Sequence, residues 1–143
     1  MIKVYIDTNI FIDFIAARKP FDEDAITLFQ LADNQEIQLM VSDLTIINTI
    51  YILHRMKYAY ADIYDTLNDI LPLLTITSIG SVIIRRCLSH RSNDFEDEAQ
   101  YLSAVNANAD YIITRNKKDF DFGDKRVMTA KEFFADQNIE IEN

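Results

Sequence analysis

Four short polar segments carry the residue types that could do chemistry in this chain. The first is Asp7-Thr8-Asn9, directly after the apolar run Val4-Tyr5-Ile6. The second is Ser42-Asp43, with Asn48 further along the same predicted helix. The third is Asp94-Phe95-Glu96-Asp97, and the fourth runs from Thr114 through Asn116 to Asp119. Carboxylates gathered without basic partners repel one another, which raises their pKa values or destabilises the fold. A divalent cation removes that difficulty. Oxygen donors with almost no histidine or thiolate at hand select magnesium or manganese over zinc. A cation so held can lower the pKa of a bound water and stabilise the anionic transition state of phosphodiester cleavage. Each carboxylate alone has a plainer use: Asp7 caps a helix, and Asp94 and Glu96 complement a helix dipole. Their combination points to chemistry.

Whether these segments meet depends on the elements between them. Met1–Ile6 is β-branched and aromatic, then abruptly polar, and predicts a strand running into a helix capped near Asp7. Ile10, Phe11, Phe14 and Ile15 recur at helical spacing, and a second helix follows from Asp22-Glu23-Asp24 with Ala25, Leu28, Phe29 and Ala32 as its stripe. Ile37–Val41 reads as the second strand, followed by a helix carrying Ile46, Ile47, Ile50 and Leu53, and by another over about 59–71. Leu73–Thr77 is the third strand, Val82, Ile83 and Cys87 lie on the next helix, and 95–108 is helical again. Tyr111–Thr114 is the fourth strand and Val127-Met128 a short fifth, before a last helix with Phe133 and Phe134.

Strands alternating with helical crossovers imply an α/β three-layer sandwich, with a mostly parallel central sheet of four to five strands flanked by helices. No linker or repeat divides the chain, so residues 1–143 read as one domain with a polar tail from about 136. In open parallel sheets ligands bind beyond the carboxyl ends of the strands. All four polar segments fall at that edge.

Composition narrows the field. Cys87 is the single cysteine, and His54 and His90 are the only histidines, which excludes a disulfide framework and a multi-cysteine zinc site. Gly80 and Gly123 are the only glycines, too few for a glycine-rich phosphate loop. No apolar run is long enough to span a bilayer and no basic-then-apolar signal opens the chain, so a cytoplasmic, membrane-free protein is expected. The formal net charge of -9 argues against a basic nucleic-acid binder of the usual kind. Basic residues nevertheless gather locally, above all at Arg115, Lys117 and Lys118 beside the fourth segment.

Taken together, Val4-Tyr5-Ile6-Asp7-Thr8-Asn9-Ile10-Phe11-Ile12-Asp13, Ser42–Asn48, Asp94–Gln100 and Ile112–Phe120 resemble the four motifs of PIN-domain proteins, in the family's order and at its size. The resemblance implies a PIN-like fold and a magnesium- or manganese-dependent ribonuclease, most often the VapC-type toxin of a toxin–antitoxin pair. It also implies a homodimer and a small cognate antitoxin as partner. Carried over by position, Asp7 matches the first metal-binding carboxylate and Asp97 the third. Asn48 stands where the family usually has a glutamate, and Asn116 where many members have an aspartate; the charge missing there falls to Asp119, Asp94 or Glu96. Thr8, Asn9, Ser42 and Thr114 would be supporting polar groups. Asp7, Asp97 and Asp119 are thus the expected catalytic carboxylates, and Arg115, Lys117 and Lys118 the expected contacts to the RNA backbone.

Two other readings compete. In one, Asn48 and Asn116 record a lost active site, and the chain binds RNA or a protein partner without cutting. In the other, Asp7 is a phosphoacceptor; a phosphatase of that type wants a second aspartate two residues on, and residue 9 is Asn. Tyr51, Tyr58, Tyr60 and Tyr64 are expected to pack a helix pair or a dimer face, and Cys87 to lie in the core.

Overall fold

The computed structural model of the protein describes residues 1–139. Five strands, β1 (Ile2–Ile6), β2 (Ile37–Ser42), β3 (Leu74–Thr77), β4 (Tyr111–Ile113) and β5 (Val127–Met128), form one sheet in the order β3-β2-β1-β4-β5. Every neighbouring pair is parallel, with Val4 opposite Leu39 and Tyr111, and Ile113 opposite Met128. The α/β sandwich expected from the alternation of elements is the observed one. Seven helices connect and cover the strands among the described residues: α1 (Thr8–Ile15), α2 (Asp22–Asp33), α3 (Asp43–Arg55), α4 (Tyr60–Ile70), α5 (Gly80–His90), α6 (Phe95–Asn106) and α7 (Ala130–Asp136). None of them is long and apolar enough to cross a membrane.

Strand side chains alternate between the two faces. Val4, Ile6, Leu39, Val41 and Ile113 point into the larger layer, where they meet Phe11 of α1, Leu28 and Phe29 of α2, Leu67 of α4, and Phe133 and Phe134 of α7. Tyr5, Met40 and Ile112 point the other way, onto Ala104 of α6, Ala109 and Phe120. Small residues on α6 let that helix lie close to the sheet, and α5 packs outside it through Ile83, Cys87 and Ala99. The apolar stripes are wider than the core. Ile47 on α3 and Val82 on α5, both named among the apolar residues of their helices, are exposed on the outer faces.

Local chemistry sets the helix starts. The Asp7 carboxylate caps α1 by accepting from Ile10 N–H at 3.1 Å, and the Ser42 hydroxyl caps α3 by accepting from Thr45 N–H at 3.0 Å. Thr129 and Glu132 form a reciprocal capping box on α7. That helix ends at Asp136, and Ile139 donates its N–H to Phe134 O and rests against the core. The remainder of the expected polar tail, residues 140–143, lies outside the described residues.

Strand order reverses at β1: the chain moves outward through β2 and β3, then returns to β1's other side as β4. The crevice beyond β1 and β4 is therefore the switch point where such sheets bind ligands. Phe133 holds this side of the sheet in register, fully buried and edge-on to Tyr111 at 5.0 Å between ring centres. Replacing it with Ala is expected to lower the unfolding free energy by about 3–5 kcal/mol, read as a lower urea midpoint at unchanged m.

Candidate active site at the sheet edge

Asp7 leaves the end of β1 directly into the switch-point crevice, 5% exposed. Its Oδ1 accepts from Ile10 N–H, and its Oδ2 accepts from the Thr114 hydroxyl at 2.6 Å, across from the end of β4. The two sides of the crevice are thus tied by one short hydrogen bond. Burial pushes the Asp7 carboxyl above the ordinary carboxylate range, and the hydrogen bonds from Thr114, Ile10 and Asn9, with the nearby Arg115 charge, oppose that rise.

Asp97 sits in the first turn of α6, half-buried, among three consecutive acidic residues that favour the positive end of the helix. Its carboxyl is pushed up to about 6, first by burial and then by the charges of Asp119, Asp7, Asp94 and Glu96. Carboxylates from β1, the α6 turn and the loop after β4 thus lie within electrostatic reach of Asp97. Asp94 and Glu96 are exposed beside Asp97, and Asp119 is exposed on the loop.

The two asparagines are engaged with carboxylates. Asn48, on α3, donates from Nδ2 to Glu96 Oε1 at 2.9 Å; Asn116 donates from Nδ2 to Asp119 Oδ2 at 2.8 Å. A carboxylate only accepts, so each amide must turn its NH2 toward its partner. Where the resemblance led to an expectation of acids, this chain places an amide and holds a carboxylate one hydrogen bond away. The amide oxygen of Asn116 accepts from Lys118 N–H at 3.3 Å, which closes the loop on itself.

Beneath the carboxylates lies a buried polar network. Gln100 Oε1 is approached by Tyr5 OH at 3.1 Å, and by the hydroxyls of Thr8 and Thr45 at 3.3 Å each. Thr8 and Thr45 share a hydrogen bond at 2.9 Å, and Ser42 donates to Thr45 at 3.1 Å. This network joins β1, α1, α3 and α6 directly under the site. Thr8 and Ser42 were expected there; Tyr5, Thr45 and Gln100 were not. Their signal was a polar residue on the inner stripe of a helix, Thr45 beside Leu44 and Ile46, Gln100 beside Ala99. Asn9 is exposed at the crevice mouth, and its carbonyl accepts from Arg18.

Of the basic residues, Lys117 pairs with Glu132 at 3.1 Å, and Lys118 is exposed with no ion-pair partner among the described residues. Arg115 turns inward to Asp13. Cys87 is buried, its thiol pushed up to about 11 by burial and by Glu98, and so is kept as a neutral core group.

Among the described residues no three His, Cys, Asp or Glu side chains stand close enough to form a ready-made metal cage. The donor chemistry nonetheless fits a hard divalent cation: oxygen ligands only, and an Asp97 carboxyl raised first by burial and then by the carboxylates around it. Asp7, Asp97 and Asp119 are residues that could hold it, with Asp94 and the Asn116 amide as further oxygen donors nearby.

The family model described as PIN domain matches residues 3–118. Among solved structures, the chain is similar to one described as a toxin–antitoxin complex from Klebsiella pneumoniae, at 24% identity over 89% of this chain and 97% of that one, with a TM-score of 0.63. It is also similar to PAE2754 from Pyrobaculum aerophilum, at 14% identity over 97% of this chain and 91% of that one, with a TM-score of 0.62. At those identities the likeness is one of fold. No curated protein matches the sequence.

The raised Asp97 carboxyl has a consequence for stability. A folded-state pKa of about 6, against an ordinary value of 3.8, means that ionising Asp97 opposes folding. The penalty is absent below the ordinary value, grows as pH rises between the two, and is complete above about 6. In metal-free protein, Asp97→Asn is therefore expected to raise the thermal midpoint at pH 7.5 (about 1–2 units above the carboxyl's own titration) and to leave it unchanged near pH 3.5. Calorimetry of both proteins at the two pH values checks this.

Proposed function

This chain belongs to the PIN domain family, and from that premise we propose that it is a divalent-cation-dependent endoribonuclease, the toxin of a toxin–antitoxin pair. PIN domains are in general nucleases that use divalent metal ions. The observation that carries the reading is the placement of Asp7, Asp97 and Asp119 about the switch point of a parallel sheet, with Asp97 pushed up first by burial and then by its acidic neighbours. Magnesium or manganese held there supplies neutralising charge, a water of lowered pKa and stabilisation of the anionic transition state.

The chain's own residues do the rest. Asp7 is fixed in one rotamer by Thr114 and Ile10, so its oxygens face the crevice without reorganisation. Glu96 and Asp119 are aimed by the amides of Asn48 and Asn116. Lys118, exposed on the same loop, and Lys117 beside it supply cationic contacts to the phosphate backbone, which position RNA without reading its bases. Such local contacts suffice in an acidic protein because the potential along the substrate path is set by the nearest groups.

The partner surface in this reading is the outer face of α3 and α5. Ile47, Tyr51, Val82 and Leu88 are exposed there, beside an apolar cleft of about 290 Å³ lined by Leu44, Ile47, Ile79, Ile84 and Phe95. A second copy of the chain and an antitoxin are the expected occupants; the fold likeness to a toxin–antitoxin complex supports the latter. We read the whole chain as one domain working in the cytoplasm.

The test is cleavage of structured RNAs by purified protein in magnesium, in manganese and in EDTA, beside folded Asp7→Asn and Asp97→Asn. Metal-dependent cleavage that falls at least about a hundredfold in both variants is the expected result. Absence of cleavage by folded protein in either metal would sink the nuclease reading in favour of a binding module, with Asn48→Glu and Asn116→Asp as the next variants.

A further inference from the structure

Asp13, on α1, is an aspartate taken almost wholly out of water at 1% exposure. Two arginines reach it from different parts of the chain. Arg18 Nε donates to Oδ1 at 2.8 Å; Arg115 pairs by charge, its Nε 2.8 Å from Oδ2 but out of hydrogen-bond alignment, and its Nη2 donates to Oδ1 at 3.4 Å. Arg18 also donates from Nη2 to the Asn9 carbonyl at 3.0 Å. The face of the Arg115 guanidinium lies on the Phe21 ring, 3.9 Å from its centre. Edge and face of that guanidinium are therefore both engaged, and the side chain is only 31% exposed. This is an arginine used as a strut, a geometry that the planar fork allows and a lysine does not.

Its position in the chain gives the strut a purpose. Arg115 stands between Thr114, whose hydroxyl donates to Asp7, and Asn116, whose amide donates to Asp119. Asp13 lies on the helix that Asp7 caps. The contacts close a ring: Asp7 to Asp13 along α1, Asp13 to Arg115 by the ion pair, Arg115 to Thr114 by the backbone, and Thr114 back to Asp7 by a 2.6 Å hydrogen bond. A loop without regular structure is thereby held against a rigid helix on the side where the carboxylates gather.

We propose that Arg115 is a positioning residue: through Asp13 and Phe21 it fixes Thr114, Asn116 and Asp119 relative to Asp7, and it does not contact RNA. The activity readouts rest on the nuclease reading; a second readout in metal-free protein does not. Arg115→Lys keeps the charge and removes the fork, and Lys118→Ala serves as the phosphate-contact comparison. The first measurement is amide hydrogen exchange in the metal-free protein. The N–H groups of Asn116, Lys118 and Asp119 are protected by bonds to Thr114 Oγ1, Asn116 Oδ1 and Asn116 O, and they report the loop directly. In Arg115→Lys these are expected to exchange about tenfold faster or more, while core amides such as those of Leu39 and Val41 keep their protection.

The second measurement separates kcat from KM and follows KM with salt. Arg115→Lys is expected to lower kcat about tenfold or more at unchanged KM and unchanged salt slope. Lys118→Ala is expected to raise KM and to reduce the slope of log KM against log salt by about one. Unchanged loop exchange in Arg115→Lys would overturn the proposal. So would equally faster exchange at loop and core, which marks general destabilisation, or an Arg115→Ala protein with a higher KM, a shallower salt slope and an intact kcat. Should the wild-type protein cut no RNA, the nuclease reading fails on that result alone, and the exchange comparison still decides the role of Arg115.

Discussion

A carboxylate withdrawn from water at the end of a strand must be given hydrogen bonds, and much of this structure answers that demand for Asp7. Its oxygens are satisfied by Ile10 N–H and the Thr114 hydroxyl, so the same side chain starts α1 and joins the ends of β1 and β4. Burying it raises its carboxyl, and the protein does not cancel that rise with a direct ion pair; the nearest cation, Arg115, is spent on Asp13. The neighbouring acids then add to the strain, and Asp97 shows it most clearly. Buried carboxylates set close to other acids make the edge of this sheet chemically distinct from the rest of the surface.

The layers around the edge follow from the same demand. Hydroxyls of Thr8, Ser42 and Thr45 converge with Tyr5 on Gln100, a polar floor under the carboxylates where apolar packing would leave backbone and side-chain groups unsatisfied. Below that floor the sheet is packed conventionally, with a larger apolar cluster on the α1–α2–α7 side and a smaller one on the α6 side, where Ala104 faces Tyr5, Met40 and Ile112. With α6 packed on that smaller cluster, its first turn carries Asp97 toward the crevice opened by β1 and β4.

How much of this could be read from the sequence depended on how local the signal was. Strand–helix alternation, the cap near Asp7 and the position of three of the four polar segments after their strands are local, and the structure has them where the sequence puts them. Ile47 and Val82 fit helical stripes but lie on the surface, because spacing tells which residues share a face and not how broad the buried part is. Gln100 escaped notice since a glutamine on a helix ordinarily faces water. From its basic neighbours Arg115 is expected to contact the RNA backbone, and nothing in the sequence signals its ion pair with Asp13. That aspartate stands 102 positions earlier in the chain, and no periodicity links residues so far apart. Asn48 and Asn116 looked like lost charge until their partners Glu96 and Asp119 came into view.

The strands at the two ends of the sheet are short: β3 has four residues and β5 only two. A sheet edge recruits other chains through its row of unpaired amides and carbonyls, and here that row is nearly absent on the β5 side. Most of the apolar surface left uncovered lies instead on helices, whose backbone groups are already bonded internally, although Ile76 is exposed on β3. Association of this protein is thereby steered toward side-chain packing, which can discriminate one partner from another, and away from strand addition, which accepts almost any extended chain and leads to fibres.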